Sequence, residues 1–373
     1  MTNPTAPAPH LIVVGGGIAG AAVAFRAVQY DLRVCWIRGD RETDRRSRFR
    51  WVADVDNMIG FHDGIVRKSI LRQLRKPQFA DARAIIETKR TPYTAKAVVD
   101  NTIERIQECY GDLIEIVRLK ADRAERTETG FTVHCGDHSF EAPHLVLATG
   151  VMDRQPTIKK QHKGETADEI KWVYAWANRE HLLYCIRCEG HLARERDVGV
   201  IGHGPAAAGV AMMMHERYGV RPRLLTNGEQ PTWSDRAARA LDAYGATVDT
   251  ARVVDFEGDK TSMHAVLLED GARLELSYAL IALGLFCVYN QLARDLGAVL
   301  EGGDAALDEQ HVLIDHRGET DVPGLFAVGD MTRRPDEPVM KQIYTAQEYA
   351  VRAVDAIDAR RRAAFREAAI ARG

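Results

Sequence analysis

Two copies of one short pattern limit this chain more than any other feature of its 373 residues: an apolar strand runs into spaced glycines and then into an alanine-rich helix. In the first copy, HLIVVGGGIAGAAVAFRAVQYDLRVCWI, the run Leu11 to Val14 leads into Gly15, Gly17 and Gly20, a helix to about Tyr30, and a second strand, Val34 to Ile37. The first glycine permits a tight turn, the second lets backbone approach a pyrophosphate, and the third lets helix pack on strand. The helix N-terminus offers positive potential to the anion. In the second copy, DVGVIGHGPAAAGVAMMMHERYG, strand Val198 to Ile201 leads into Gly202, Gly204 and Ala207, a helix to about Tyr218, and a strand from Arg223 to Thr226. Two such units predict an α/β protein with two nucleotide-binding, Rossmann-like three-layer domains, the second inserted in the first.

Length agrees, because 373 residues exceed what one hydrophobic core usually serves. A content of 46% hydrophobic and 28% charged residues is that of a soluble globular protein. The formal net charge of -3 argues against a dedicated nucleic-acid binder, which needs an excess of Lys and Arg to neutralise phosphates. The local basic run Arg45, Arg46, Arg48 and Arg50 is read as solvated loop. The opening MTNPTAPAPH is polar and proline-rich, unlike a signal peptide, and no apolar stretch approaches the ~20 residues that span a bilayer. A cytoplasmic protein with no nucleic-acid or membrane partner is therefore expected. Thiols are kept reduced there, so a close cysteine pair is redox-active or metal-binding rather than structural. Cys35, Cys109, Cys135 and Cys287 are read as buried core cysteines.

Two further segments complete the first unit. HLVLATG, residues 144 to 150, is a buried strand ending on a glycine. VPGLFAVGD, residues 322 to 330, is a strand ending at Asp330, followed by the helical PVMKQIYTAQEYAVRAVDAI. A carboxylate at such a strand end can accept a hydrogen bond from a cofactor hydroxyl, and the helix after it can aim its N-terminal amides at a ring. FTVHCG and AVLLEDGARLELSYALIALG alternate like hairpins and connecting strands. Stretches 81 to 110 and 161 to 181 read as helices, and the tail DARRRAAFREAAIARG as an exposed helix.

YCIRCEG, residues 184 to 190, holds the remaining cysteines, and its spacing admits a metal site or a redox disulfide. His181, Cys185, Cys188 and His191 can be written as a Cys2His2 site. Those ligands, however, fall within eleven consecutive residues, without the hairpin or helix that usually folds two ligand pairs together.

Taken in order, Gly15 to Gly20, ATG at 148 to 150, CIRCEG at 185 to 190, Gly202 to Ala207, and VGD at 328 to 330 with KQI at 341 to 343 resemble the low-molecular-weight thioredoxin reductase family of flavoproteins, over nearly the whole chain. DVDNMIG, residues 54 to 60, is similar to the family's flavin-edge segment, with Asn57 in the place of its polar contact. The resemblance implies FAD, held by Gly15, Gly17, Ile18, Ala19, Gly20, Asn57, Thr149, Gly150, Gly329, Asp330, Lys341, Gln342 and Ile343, and no metal. It implies an FAD domain from residues 1–154 and 285–373, with 155–284 as a middle, pyridine-nucleotide-like domain carrying the cysteines. Cys188 would lie under the flavin and Cys185 would be the exposed sulfur that exchanges with substrate. A helix start also lowers thiol pKa values. Glu189, in the position of the family's Asp, is the candidate acid–base group. The implied partner is a thioredoxin-like protein or a small dithiol or disulfide, and the implied assembly a homodimer.

Two departures matter. Where the family holds the NADPH 2′-phosphate with a histidine and arginines, this chain reads RLLTNGEQPTW, so Thr226, Asn227 and Gly228 replace the cations and Glu229 would repel a phosphate. NADPH is therefore not expected as electron source. NADH with Glu229 on a ribose hydroxyl, a donor such as ferredoxin, or transfer from a dithiol to oxygen remain open. LTNG and GVMDRQP are similar to segments of flavin-dependent dithiol oxidases, although those carry His where this chain has Glu189. In the first unit, RGDRETDRRSRFR, residues 38 to 50, replaces a short glycine-rich segment, and no acid closes the second strand unless Asp40 does. From a different class, a non-enzymatic flavin-bound redox-sensing module would bind FAD without turnover.

Overall fold

The computed structural model describes residues 8–48, 94–162, 165–169, 172–177, 181–259 and 262–372. They form two compact units, one from Met1–Arg50, Lys96–Met152 and Cys287–Gly373, the other with its described core in Asp153–Phe286.

The first unit is built on a five-stranded sheet in the order Leu325–Ala327, His144–Leu147, Leu11–Val14, Val34–Ile37, Ile114–Val117, every neighbouring pair parallel. Strands Leu11–Val14 and Val34–Ile37 are buried at all four positions, which is why each reads as an unbroken apolar run rather than an alternating one. Helix Ile18–Gln29 buries Gly20, Ala21, Val23, Ala24, Ala27 and Val28, and the last helix, Ile343–Ile370, lies against it. Small side chains on both helices allow that approach.

The glycine turn works through backbone contact. A Cβ on Gly15 would lie 2.1 Å from the Ala148 carbonyl oxygen, and one on Gly20 would lie 2.0 Å from the Gly15 carbonyl oxygen. Trp36 Nε1 donates to that same Gly15 oxygen at 2.8 Å, so the second strand clamps the turn from the side.

The second unit repeats the plan. Its sheet runs Leu182–Leu183, Tyr278–Ile281, Val198–Ile201, Arg223–Leu225, Thr247–Asp249, again parallel throughout. Gly202 allows the equivalent close packing, since its Cβ would come within 2.4 Å of the Ala282 carbonyl oxygen. In both units an edge strand from elsewhere in the sequence completes the sheet beside a strand that precedes a glycine or alanine turn. The expected hairpins form as Arg123–Arg126, Phe131–Cys135, His138–Ala142 in the first unit and Val253–Gly258, Met263–Leu268, Arg273–Glu275 in the second.

Some expectations give way. The stretch 161 to 181 is not one helix: Ile158–His162 and Glu165–Glu169 pair antiparallel, and among the described residues its α-helical part is Tyr174–Ala177. Its Lys- and Glu-rich composition favours helix locally, but Ile158 is fully buried in the core beside Phe256 and Val266, and Lys160 pairs with Asp255 at 3.0 Å. Tertiary docking overrides propensity at such a place. Within 81 to 110 the described helix is Ala95–Tyr110. Cys35 and Cys135 are buried, whereas Cys109 is exposed and Cys287 half-buried. Among the described residues no helix is long and apolar enough to cross a membrane.

Two outcomes follow from this packing. Truncating Leu145, fully buried on the strand beside the central one of the first sheet, to Ala costs about 2–5 kcal/mol of stability, read as a lowered denaturant midpoint. Gly20→Ala drives a methyl group into the Gly15 carbonyl and costs about 3 kcal/mol, read as a drop in thermal midpoint, whereas the same change at Gly136, whose Cβ would meet nothing within 4 Å, costs less.

Candidate active site

In the first unit, helix Ile18–Gln29 begins at Gly17 with no side-chain cap and no acid in its first turn. The last helix begins the same way at Gln342. A Cβ on Gly329 would lie 2.8 Å from the Ala19 Cβ and 4.0 Å from the Ala346 Cβ, so the first turns of both helices converge on the turn Gly329–Met331. Each helix start leaves backbone N–H groups without intrahelical partners, and together they make a field suited to an anion. Gly17, Ile18, Ala19, Gly20, Gly329, Asp330, Gln342 and Ile343 are thus brought to one place, with half-buried Lys341 beside them. These residues fit a dinucleotide cofactor, whose pyrophosphate needs such donors.

Thr149 and Gly150 sit at the end of the neighbouring strand. The Thr149 hydroxyl donates to the Tyr289 carbonyl at 2.5 Å and lies 3.1 Å from Met331 Sδ, while Tyr289 N donates to Gly150 O at 3.0 Å. Gly150 has φ +74° with open space where a Cβ would be, so the strand end leaves room beside it. Asn57 lies outside the described residues.

Asp330 holds an ion pair that sequence reading missed: Arg48 Nη1 is 3.0 Å from its Oδ2, with the two side chains only 14% and 20% exposed. Arg48 therefore departs from the solvated loop expected of its basic run. No local signal pairs residues 282 positions apart. Asp40 does not close the second strand. It caps the short helix Arg41–Arg45, accepting from Thr43 N at 2.8 Å and Thr43 Oγ1 at 2.6 Å, and the Thr43 hydroxyl holds its carboxyl below the ordinary range. Arg38 stands nearest the strand end, its guanidinium 5.1 Å from the Trp36 ring centroid.

In the second unit the cysteines follow directly on edge strand Leu182–Leu183. Cys185, in extended conformation, is the N-cap of the one-turn helix Ile186–Glu189, and it is disulfide-bonded to Cys188 with Cα atoms 5.3 Å apart. The Cys185 side of the turn is half-buried. The turn closes through Cys188 N and Glu189 N, which donate to Cys185 O at 3.1 and 2.9 Å. Glu189 Oε2 reaches back to accept from Tyr184 N at 2.8 Å and Cys185 N at 3.1 Å, in the manner of a capping box. Ile186 is buried with Leu183, Ala193 and Val198, which seats the turn on the sheet. Tyr184 is anchored from the other side, its hydroxyl donating to Gln155 Oε1 at 2.9 Å, and burial pushes its phenol far above the ordinary range.

Strand Val198–Ile201 leads to helix Pro205–Tyr218, which starts at Gly204 without a side-chain cap. Beyond Arg223–Leu225 the chain folds on itself. Thr226 is fully buried, its hydroxyl donating to Glu229 O at 2.5 Å and its N–H to Asp249 O at 2.9 Å. Asn227, at φ +58°, accepts Val253 N on its Oδ1 at 3.0 Å, and Gly228 continues at φ +90°. Thr226 and Asn227 thus spend their side chains on backbone groups of Glu229 and Val253, and Glu229 is exposed.

A family model of pyridine nucleotide-disulphide oxidoreductases matches residues 9–350. Thioredoxin reductase of Pneumocystis carinii is 22% identical over 333 residues, 86% of this chain and 87% of its own. An alkyl hydroperoxide reductase component from Xanthomonas campestris pv. phaseoli is 24% identical over 222 residues, 58% of this chain, and the match spans only 38% of that relative's length. The crystal structure of thioredoxin reductase from Streptococcus pyogenes MGAS5005 shares the fold, with a TM-score of 0.71 at 17% identity over 95% of this chain and 98% of that one. The chain belongs to the pyridine nucleotide-disulphide oxidoreductase family, as a thioredoxin reductase-like flavoprotein with FAD as its cofactor.

Proposed function

We propose that the chain is an FAD-dependent dithiol–disulfide oxidoreductase whose working pair is Cys185–Cys188 and whose electrons do not come from NADPH. Residues 1–154 and 285–373 form its FAD domain and 155–284 the middle domain that carries the pair. The observation that carries the reading is the disulfide itself, set on a turn at the carboxyl end of a parallel strand. Ligands and chemistry gather at that end of open α/β sheets.

Bound FAD supplies a two-electron donor or acceptor. Gly15, Gly17, Ile18, Ala19 and Gly20 would offer backbone to its pyrophosphate, and Thr149, Gly150, Gly329, Asp330, Lys341, Gln342, Ile343 and Asn57 would be its other contacts. At the pair, a substrate thiolate attacks Cys185 Sγ, forming a mixed disulfide and releasing Cys188 as thiolate. A second substrate thiolate attacks the substrate sulfur of that mixed disulfide, so the substrate leaves as a disulfide and Cys185 as a thiolate that takes a proton. Two electrons then rest on the pair, and the reverse sequence reduces a substrate disulfide. Glu189 is the carboxylate that serves these steps.

The fitting substrate is a thioredoxin-like protein or a small dithiol or disulfide, and the chain acts as a homodimer. The turn at Thr226 to Glu229 supports the exclusion of NADPH, because Thr226 and Asn227 spend their side chains on backbone groups of Glu229 and Val253 and Glu229 sets a carboxylate where the family places cations. The same turn favours one second reading, a dithiol oxidase that passes electrons to oxygen; NADH and a ferredoxin are the other donors compatible with it.

Anaerobic mixing tests this. A dithiol bleaches the flavin absorbance of the purified protein and NADPH does not; rapid bleaching by NADPH overturns the donor assignment, and failure of every thiol to bleach returns the pair to a sensing role without turnover. Peroxide formation in air, compared with disulfide reduction without it, fixes the direction. The division of labour between sulfurs is read separately. After reduction Cys185→Ser shows a long-wavelength thiolate–flavin band and Cys188→Ser does not, and the opposite pattern exchanges the two roles.

A further inference from the structure

His311 belongs to none of the motifs that mark the cofactor site, yet the fold sets it beside them. It opens strand His311–Leu313, the middle of a three-stranded sheet, with Glu301 opposite it on the antiparallel neighbour. The parallel neighbour, Thr332–Arg333, continues directly from the turn Gly329–Met331, and its Thr332 is level with Val312. One residue back along both strands, His311 is level with Met331, whose Sδ lies 3.1 Å from the Thr149 hydroxyl. The ring is also near enough to Lys341, just before the last helix, to feel its charge.

His311 is 8% exposed, and its Nε2 is buried with no hydrogen-bond partner among the described residues. A buried polar atom left unpaired is costly, and folded chains keep few of them without a use. Burial first, and then the charges of Lys341 and Arg333, push the ring down to a pKa of about 4. At neutral pH it is therefore an uncharged imidazole with one N–H and one lone pair. The groups gathered at this point are chiefly donors: Lys341, Arg333, which also pairs with Glu301 at 3.5 Å, and the amides at the uncapped start of Ile343–Ile370. A ligand atom that settles among them is an acceptor oxygen, and a neutral imidazole meets it with its N–H.

We propose that His311 is a further cofactor contact, donating from Nε2 to an acceptor oxygen of bound FAD. The proposal rests on the assignment of the Gly329–Met331 turn and the start of the last helix to that cofactor. It gives removal of the imidazole opposite signs in two measurements. The fold loses nothing when an unpaired polar atom is replaced by an apolar one of similar size, whereas the complex loses a hydrogen bond. A side chain that merely packs would lower both.

The test strips the full chain of FAD and titrates it back near neutral pH, following flavin fluorescence, in wild type and H311L. Cofactor-free H311L is expected to unfold at or above the temperature of cofactor-free wild type, while its Kd for FAD rises about threefold to tenfold. A Kd within about twofold of wild type overturns the proposal and leaves the ring to a buried water. A lowered unfolding temperature of the cofactor-free variant together with weaker FAD binding marks a packing role and also overturns it. If H311L does not fold, ring-nitrogen NMR spectra of the wild-type histidines decide, with the His311 Nε2 resonance assigned by its loss in H311Q. Addition of FAD shifts that resonance, and an unmoved one overturns the proposal. Unchanged FAD affinity in Asp330→Asn removes the assignment of the turn itself, an outcome distinct from these.

Discussion

A backbone contact that only glycine permits sets the geometry of the first unit. The Gly15 Cα sits against the Ala148 carbonyl and the Gly20 Cα against the Gly15 carbonyl, each so near that a Cβ would lie about 2 Å from oxygen. Strand, turn and helix are locked at one distance by these approaches. Because helix Ile18–Gln29 is held in that position, its uncapped start faces the Gly329–Met331 turn, and the last helix can close on the same point from the other side. The anion-binding field is therefore a by-product of packing: it exists because two helix starts are brought together with no side chain of their own to cap them.

The second unit uses the same sheet order for a different purpose. In the first unit the outer strand Leu325–Ala327 delivers Gly329 and Asp330; in the second, the outer strand Leu182–Leu183 delivers Cys185. Equivalent positions at the carboxyl end of an edge strand thus carry a carboxylate in one unit and a sulfur pair in the other. The nucleotide-type turn at Gly202 keeps the glycine packing while the next strand ends in Thr226 and Asn227, whose side chains bond backbone groups of Glu229 and Val253.

Electrostatics at the two sites is handled in opposite ways. Around Gly329, helix starts are left open and Asp330 is balanced by Arg48 across a largely buried pair. Such a pair is costly to break, because either partner alone is an uncompensated charge in a poorly solvated place. Around the disulfide, the carboxylate of Glu189 folds back on the amides that precede the helix, so the turn carries its own counter-charge.

The sequence by itself determined the parallel, doubly repeated α/β plan, because strands buried on both faces must be written as unbroken apolar runs and because the glycine spacings have one steric reason to exist. It also marked the cysteine pair and the missing basic cluster, both of which are matters of residue type at a spacing. Tertiary structure alone decided the rest. Ile158–His162 is a strand because Ile158 is buried beside Phe256, not because its neighbours favour one. Cys109 and Cys287 escape the core because exposure depends on which face of an element meets solvent. The Arg48–Asp330 pair joins residues far apart in the chain, and Asp40 and Glu189 became caps because their carboxylates happened to meet unpaired amides. Hydrophobic periodicity and steric necessity are local and can be read along a chain; the partner of a charge depends on three-dimensional neighbours and cannot.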